Sequence, residues 1–453
     1  MTGFEPAASS SRTKRATGLR YIPQWLQKYS AGINKQNSRP LNICKKSLVF
    51  PTTQIENSLP FKGLISGLIL QLVFQIKQMK EIFIVADNII SPLGNTTTEN
   101  FAKLVQDISA VRQHNNKQIA EEPFYAALID ADNNFGGDDH CTKFEQLLIA
   151  SIAGVLQQTG VNPADEKTLL IISTTKGNIS LLETEVYNES LKKRMALHTS
   201  ADLVAKHFHF VNQPLIVSNA CISGALAILT GMRLIRSGKY ENVVVAGADI
   251  ITKFVLSGFQ SFQALSNNLC KPFDKNRDGI NLGECAATII LSSNKKSDND
   301  IKAVSGSVSN DANHISGPSR TGDELYQAIN IALRNAGLNA ADIDFISAHG
   351  TATVYNDEME AKAIASAKLE SSPVNSLKGY YGHTLGAAGL IESIISVQSL
   401  RENIVLPTKG FEEHGVSNPI TICDKIIRKP LNNFLKTASG FGGCNAALIF
   451  SKP

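Results

Sequence analysis

The chain lacks several sequence patterns that mark common classes of protein. Its seven cysteines include no CxxC pair of the kind found in zinc sites, and they are too sparse for the disulfide framework of a small secreted protein. No glycine-rich fingerprint for a dinucleotide occurs between a strand and a helix, because the glycines of segment 440–443 precede strand-like residues instead. We therefore expect no bound metal ion, no redox cofactor and no nucleic acid partner.

Long apolar runs are also scarce. The best candidate for a membrane helix is segment 61–76, which is short for a span and contains Lys62, Gln71 and Gln75. It lies too far along the chain for an ordinary signal peptide. For this segment, the alternative of a helix that packs against a partner or lies at a membrane interface stays open, but we expect no membrane span.

Tryptophan occurs once, at Trp25, in a stretch whose composition differs from that of the other residues. Residues 1–78 contain 11 lysines and arginines but only two acids, whereas the remaining residues carry 33 basic and 38 acidic side chains. The basic character of the chain therefore belongs to this stretch and is no evidence for an acidic partner. Because Met79 leads directly into strand-like residues, we interpret residues 1–78 as an extension that is disordered or arises from a misassigned start.

The segment around Cys221 is the most informative part of the sequence. Strand-like residues 215–217 lead into Ser-Asn-Ala-Cys-Ile-Ser-Gly-Ala, and a helical pattern of apolar residues then continues to Ser237. This order places Cys221 at a strand-to-helix turn, where the helix dipole and free backbone N–H groups favour the thiolate. A single cysteine in such a turn is more often structural, so a catalytic interpretation needs support from elsewhere in the chain.

Two histidines lie in similar turns further along the chain. His349 follows strand-like residues 343–346, and His383 lies in the small-residue segment 376–389. Either histidine alone could be a loop residue bonded to the backbone. Together with Cys221 they indicate acyl transfer by a cysteine nucleophile with histidine partners.

These three motifs, in this order, resemble those of the elongating β-ketoacyl-acyl-carrier-protein synthases, which have a Cys-His-His triad and a thiolase fold. The resemblance extends from about Met79 to Phe450 and includes several other motifs of the family. The further matching segments are Ile90–Gly94, Lys271–Gly279 with Gly283 and Glu284, Asp311–His314 and Ser439–Ala446.

The resemblance implies a decarboxylative Claisen condensation that extends a cysteine-bound acyl chain by two carbons from malonyl-acyl-carrier protein. Cys221 is then the nucleophile, and the backbone N–H groups of Cys221 and Phe441 form the oxyanion hole. His349 and His383 are expected to bind the thioester carbonyl of the malonyl substrate. Phe441, which lies between glycines, is expected to act as a movable gate over the thiol.

The resemblance also implies supporting roles around the triad. Lys378 and Glu392 match an ion pair near the site, and we expect this pair to orient His383 and to set its charge state. The substrate-binding candidates are Thr351 and Thr353 for the phosphopantetheine arm, with Phe259 and Ile222 for the acyl pocket.

Some residues depart from the family pattern. Ile222 is bulkier than the usual alanine, and Ser439 stands where an aromatic residue is common, so the preferred acyl chain stays open between fatty-acid and polyketide or polyene synthesis. Cys285 and Cys444 replace the usual glycine and threonine. Cys444 raises the alternative of a thiolase, which the presence of His383 and the carrier-protein motifs disfavours.

A non-catalytic subunit of the chain-length-factor kind is the main alternative. Such subunits keep the fold and shape the acyl tunnel of a partner, but they lack the nucleophilic cysteine. The presence of Cys221, His349 and His383 together favours the enzyme.

The alternation of strand-like and helical segments from residue 79 onward predicts layered α/β structure. The resemblance makes this a five-layer α-β-α-β-α fold of two pseudo-repeated halves, residues 79–300 with the cysteine and residues 301–453 with both histidines. It also implies acyl carrier protein as the partner and a homodimer, or a heterodimer with a related subunit. We expect a cytoplasmic protein, because a free thiol suits a reducing compartment. We expect no cofactor beyond the phosphopantetheine of its substrates.

Overall fold

The computed structural model describes residues 80–130, 135, 140–312 and 317–453. The proposed start at Met79, the segment 1–78 with its apolar stretch 61–76, and the motif residues Asn313 and His314 lie outside the described residues. No helix in the described part is both long and apolar enough to cross a bilayer.

Strands and helices alternate along the chain, and most strands are buried on both faces. Residues 168–173 and 285–292 are buried at every position, which is typical of strands covered by helices on two sides. The described strands are β1 (Phe83–Ile90), β2 (Arg112–His114), β3 (Phe124–Ala127), β4 (Thr168–Ser173), β5 (Leu215–Val217), β6 (Asn242–Asp249), β7 (Leu282–Gly283), β8 (Cys285–Ser292), β9 (Ile301–Asn310), β10 (Phe345–Ser347), β11 (Val374–Asn375), β12 (Ile404–Val405), β13 (Ile427–Arg428), β14 (Asn433–Gly440) and β15 (Cys444–Ser451).

The helices begin with standard capping signals where they lie at the surface. Thr142 caps the helix that starts at Lys143 in a capping box with Glu145, and Thr252 caps the helix that starts at Lys253. The described α-helices are α1 (Thr97–Val105), α2 (Lys143–Leu156), α3 (Leu181–Thr184), α4 (Glu189–Met195), α5 (Leu197–His207), α6 (Ser223–Arg236), α7 (Lys253–Ser261), α8 (Asp323–Ala336), α9 (Val354–Ser366), α10 (Lys378–Tyr381) and α11 (Ala388–Glu402).

Ten strands form one mixed sheet in the order β11-β10-β14-β15-β9-β1-β8-β6-β4-β5. In the first half, β1 pairs antiparallel with β8 and β8 with β6, whereas β6-β4 and β4-β5 are parallel. The second half repeats this plan, with β9-β15 and β15-β14 antiparallel and β14-β10 and β10-β11 parallel. The halves join through a short pairing of β1 with β9. This repeated order of pairing confirms the two pseudo-repeated halves.

The helices complete the five layers. α6 and α11 pack against each other and contact strands of both halves, so they form the central layer. α2 covers the outer face of the first half against β1, β8 and β6, and α8 covers the outer face of the second half against β9 and β15. The largest apolar cluster surrounds the central helices α6 and α11, and two further clusters lie beneath the outer helices of the two halves. The predicted layered α/β fold is confirmed.

Candidate active site

Cys221 lies at a sharp turn between β5 and α6. Ala220 adopts a left-handed conformation with φ of 43°, which is unusual for a residue with a side chain. The Ser223 hydroxyl accepts a hydrogen bond of 2.8 Å from the Asn219 amide and donates one of 2.7 Å to the Ala220 carbonyl. These two bonds stabilise the turn and present the Cys221 thiol at the N-terminus of α6, as the sequence predicts.

His349 follows β10 in a second strained turn. Gly350 and Ala352 have φ of 43° and 61°. Both oxygens of the buried Glu360 carboxylate are used here, because they accept from the amides of His349 and Gly350 at 2.8 Å each. The Glu360 side chain on α9 therefore fixes the backbone that presents His349.

His383 is held between backbone groups of an adjacent segment. Its amide donates to the Asn281 carbonyl at 2.6 Å, and its carbonyl accepts from the Gly283 amide at 3.0 Å. An added Cβ at Gly283 would lie 1.8 Å from the Tyr381 carbonyl oxygen, so only glycine permits this close approach. Neither ring nitrogen of His383 has a hydrogen-bond partner in the described part of the chain. Both are therefore available to a substrate.

The three turns bring the predicted triad together. One ligand atom from each of Cys221, His349 and His383 lies within 4.8 Å of the other two. The two imidazole rings are 5.2 Å apart between centroids and meet edge to face at 83°. A thiol and two imidazoles therefore converge on a space that could hold one thioester group.

Burial dominates the electrostatics of this space. It lowers the pKa of both His349 and His383 well below the ordinary value, and the positive charge of Lys378 lowers these pKa values further. Both rings are consequently neutral near pH 7. Burial also raises the pKa of the Cys221 thiol to about 12, although Lys378 opposes this. Desolvation therefore opposes the effect of the helix terminus, and it disfavours the resting thiolate that was expected from sequence.

Lys378 and Glu392 form the predicted buried ion pair, but it contacts a different histidine. The Lys378 ammonium donates to the His349 carbonyl at 2.8 Å and lies 3.5 Å from His349 Nδ1. The expectation that this pair orients His383 was wrong. Lys378 is the first residue of α10, and its side chain reaches the turn after β10, which contains His349. The positive charge nevertheless lowers the pKa of both rings.

Two buried charged residues near the site have no counterpart in the sequence predictions. Lys436 on β14 lies 2.7 Å from the second oxygen of Glu392, and Glu360 accepts a hydrogen bond of 2.6 Å from Thr437. The sequence offers two signals for these residues. Lys436 is the one charged residue of segment 434–439, and Glu360 lies on the buried face of α9. Neither is diagnostic without the three-dimensional contacts.

The triad lies in a cavity of about 470 Å³. Phe441 is partly exposed beside Cys221, and its ring stacks on Phe259 at 6.0 Å and meets Phe262 edge to face at 5.4 Å. The backbone N–H of Phe441 lies close enough to the Cys221 thiol to lower its pKa slightly, against the larger effect of burial. Thr351 and Thr353, whose hydroxyls are 2.8 Å apart, also line the cavity.

The residues that depart from the family pattern lie in different environments. Ser439 lines the cavity and donates to Asn445 at 2.8 Å, so it remains a candidate for acyl selection. Ile222 does not line the cavity. Its side chain is buried in the central apolar cluster, because the residue after the nucleophile turns inward at the start of α6. The assignment of Ile222 to the acyl pocket is therefore not supported by its position.

Two family descriptions match consecutive parts of the chain. Residues 79–297 match "Beta-ketoacyl synthase, N-terminal domain" and residues 302–412 match "Beta-ketoacyl synthase, C-terminal domain". A 3-oxoacyl-[acyl-carrier-protein] synthase 2 from Rhizobium meliloti is 28% identical over 418 residues, covering 83% of this chain and 99% of its own. A protein of the same name from Staphylococcus aureus is 28% identical over 424 residues, with the same coverage.

Solved structures show the same architecture. A ketosynthase from Xenorhabdus doucetiae, in complex with its chain length factor, superposes with a TM-score of 0.73 at 27% identity, covering 83% of this chain and 99% of its own. The ishigamide ketosynthase/chain length factor superposes with a TM-score of 0.75 at 23% identity, covering 83% of this chain and 100% of its own. The second similarity is evidence for the fold alone.

Proposed function

Because this chain belongs to the β-ketoacyl synthase family, we propose that it catalyses decarboxylative condensation of a cysteine-bound acyl chain with malonyl-acyl-carrier protein. The observation that supports this most directly is the convergence of Cys221, His349 and His383 within 4.8 Å on the cavity. The product is a β-ketoacyl-carrier protein two carbons longer than the acyl group supplied.

The first step transfers an acyl group to Cys221. Its sulfur attacks the thioester carbonyl of acyl-carrier protein, and collapse of the tetrahedral intermediate releases the pantetheine thiol, which takes up the proton. The amide of Phe441, which lies near the sulfur, and that of Cys221 are the proposed donors to the developing oxyanion. Because the pKa of the thiol is raised to about 12, we propose that it loses its proton as it attacks rather than beforehand.

The second step forms the carbon–carbon bond. Malonyl-carrier protein loses CO2, and the electrons of the broken bond form an enolate whose oxygen accepts hydrogen bonds from His349 and His383. Two neutral imidazole donors at this oxygen stabilise charge that develops in the transition state. The enolate carbon then attacks the acyl-Cys221 carbonyl and expels the cysteine thiolate, which takes up a proton from solvent to regenerate the resting thiol.

We propose acyl carrier protein as the partner that delivers both substrates. Thr351 and Thr353 present adjacent hydroxyls in the cavity wall, where they can bond the amides of a phosphopantetheine arm. No further cofactor is needed for either step. We also propose that no metal ion occupies the triad, because a resident ion would engage the thiol that has to attack.

The proposed setting is a reducing compartment such as the cytoplasm. All six cysteines in the described part of the chain are free thiols, which suits that environment. The alternative of a non-catalytic chain-length-factor subunit is disfavoured by Cys221, since such a subunit needs no nucleophile at the end of the cavity.

Mass spectrometry of the purified protein tests this proposal. Incubation with acyl-carrier proteins of several chain lengths should add one acyl group, on Cys221, and malonyl-carrier protein should then yield a β-ketoacyl product two carbons longer. The Cys221→Ala variant should form no adduct and no condensation product, because the nucleophile is missing.

Cys270→Ala is the matched control, because Cys270 is also a buried free thiol but does not line the cavity. This variant should still be acylated on Cys221. Folded wild-type protein that forms no adduct with any carrier thioester would overturn the proposed activity.

A further inference from the structure

Lys436 is buried within β14, close behind the active site. Its side chain has no solvent exposure, although the neighbouring residues of the strand are uncharged. Burial of an ammonium is costly unless hydrogen bonds and an opposite charge compensate for lost hydration. A buried lysine in the middle of a strand therefore calls for a specific account of its partners.

The hydrogen bonds of Lys436 go to backbone carbonyls of two strands. Its ammonium donates to Thr437 at 2.7 Å, to Ser347 at 3.1 Å and to Ala348 at 3.3 Å. Three carbonyls use the three hydrogens of the group, so its contact of 2.7 Å with Glu392 Oε2 is an ion pair rather than an aligned hydrogen bond. Ser347 and Ala348 directly precede His349.

Glu392 connects this lysine to the one that touches the triad. Its other oxygen pairs with Lys378, which in turn contacts the carbonyl and Nδ1 of His349. The carboxylate is thus shared between two buried ammoniums. Without Lys436 one of its buried oxygens would have no cation, and its position against Lys378 would be less constrained.

We propose that Lys436 is a positioning residue for the condensation, acting through Glu392 and Lys378 to fix His349 and placing a second positive charge beside the catalytic imidazoles. This inference deepens the proposed function and rests on it. The ammonium of Lys378 faces Nδ1 of His349, which favours the tautomer with its proton on Nε2. That proton is the one available to the substrate oxygen.

The charges around the two imidazoles support this account. The positive charge of Lys436 lowers the pKa of both histidines, after burial and Lys378 and, for His349, after His383 as well. The pKa of Lys436 itself is lowered mainly by burial. The titratable and charged groups around the two imidazoles include Cys221 before α6, Asp278 before β7, Asp311 after β9, Asp357 and Glu360 on α9, Lys378 on α10, Glu392 on α11 and Lys436 on β14.

The pH dependence of malonyl-carrier protein decarboxylation tests the proposal. Lys436→Met removes the charge and keeps most of the side-chain volume. Its loss should raise the pKa of the histidines, so the acidic limb of the kcat profile should move to higher pH by roughly one unit. At neutral pH we expect kcat to fall roughly 10-fold to 100-fold with little change in KM, as is typical when a supporting group is removed.

Lys143→Met is the matched control, because Lys143 forms a partly buried ion pair with Glu284 that does not contact the triad. It should leave the pH profile unchanged. A Lys436→Met enzyme that is slower but has the wild-type pH profile would overturn the proposal. Lys436→Gln, which keeps hydrogen-bond donors without the charge, is the second variant, and failure of both to fold would assign the residue to folding instead.

Nuclear magnetic resonance titration of [13C]histidine-labelled protein separates this proposal from the proposed function. If wild-type protein turns over no malonyl-carrier protein, the proposed activity fails. The positioning role is then decided by the titration alone, in which the pKa values of His349 and His383 should be higher in Lys436→Met than in wild type. Equal pKa values in the two proteins would refute it.

Discussion

Burial and the helix N-terminus act in opposite directions on the Cys221 thiol. The terminus of α6 and the charge of Lys378 favour the thiolate, whereas removal from water favours the neutral thiol. Burial is the larger effect and raises the pKa to about 12. A neutral resting thiol is chemically useful here, because a buried thiolate without a substrate would be prone to oxidation.

The rate of alkylation by iodoacetamide should therefore rise with pH without reaching a plateau. Only the thiolate reacts, and its fraction increases roughly tenfold per pH unit below the pKa. We expect this slope for Cys221 between about pH 7 and about pH 9, measured as the rate of carbamidomethylation of its tryptic peptide by mass spectrometry.

The peptide of Cys221→Ala supplies the blank for this measurement. A rate that becomes constant near neutral pH would mean that the helix terminus and Lys378 outweigh burial. The thiolate expected from sequence would then be present after all.

Local sequence was enough to identify the triad but not the groups that support it. Cys221 and His349 each follow an apolar strand within a run of small residues, and that pattern can be recognised without neighbours. Lys436 and Glu360 act through contacts with residues far away in sequence, and a single lysine or glutamate has no pattern of its own. The position of Ile222 in the central apolar cluster could not be read from the sequence either, because it depends on how the turn at Cys221 directs the next side chain.

Two glycines allow the central helices to cross closely behind the nucleophile. A Cβ added at Gly224 on α6 would lie 2.6 Å from the Leu390 amide nitrogen, and one added at Gly389 on α11 would lie 2.7 Å from the Ala225 amide nitrogen. The backbones of α6 and α11 are therefore in close contact near the first residues of both helices. This crossing connects the half that contains Cys221 to α11, which contains Glu392.

Gly224→Ala should destabilise the protein despite the better helix propensity of alanine. The propensity gain is about 0.5–1 kcal/mol, whereas overpacking against a backbone nitrogen costs about 1–3 kcal/mol. We expect a net loss in the free energy of unfolding, measured by urea denaturation. Gly160→Ala is the control, because no atom lies within 4 Å of its added Cβ; equal stability of the two variants would contradict the close crossing.

Elements next to the triad were predicted closely, and very short strands elsewhere were not. The strand at residues 215–217 has the bounds expected from sequence, and α6 ends at Arg236, one residue before the expected Ser237. β10 is shorter than its apolar run, because residues 343 and 344 leave the sheet. The small sheet β2-β3-β7 was missed, since strands of two to four residues depend on tertiary pairing rather than on a local pattern.

The position of the site follows from the pseudo-symmetry of the whole molecule. Cys221 follows β5 of the first half, and His349 follows β10 of the second half. Each of these residues follows the carboxyl end of a parallel strand in its own half, and both line the same cavity although they are distant in sequence. This arrangement explains why neither half alone contains the triad.

The two edges of the ten-stranded sheet differ. At one edge, β11 is covered, because Val374 exchanges backbone hydrogen bonds with Thr421 and Cys423. At the other edge, the outer side of β5 pairs with no described segment, and Leu215 is 40% exposed. Unpaired edges of this kind promote pairing with another chain. For the homodimer expected from sequence, β5 is therefore the edge that we expect to pair with a second copy.

Leu215→Lys should convert this dimer to a monomer, because a charged side chain on an edge strand opposes pairing with another chain. Light scattering coupled to size-exclusion chromatography measures the mass, which should fall from twice the chain mass to one. Ile108→Lys is the matched control, because Ile108 is 39% exposed but follows α1 and lies outside the sheet; it should remain dimeric. Wild-type protein that is monomeric at micromolar concentration would refute the homodimer. The edge strand β5 would then be tested for pairing with a related subunit, since a similar ketosynthase was solved in complex with its chain length factor.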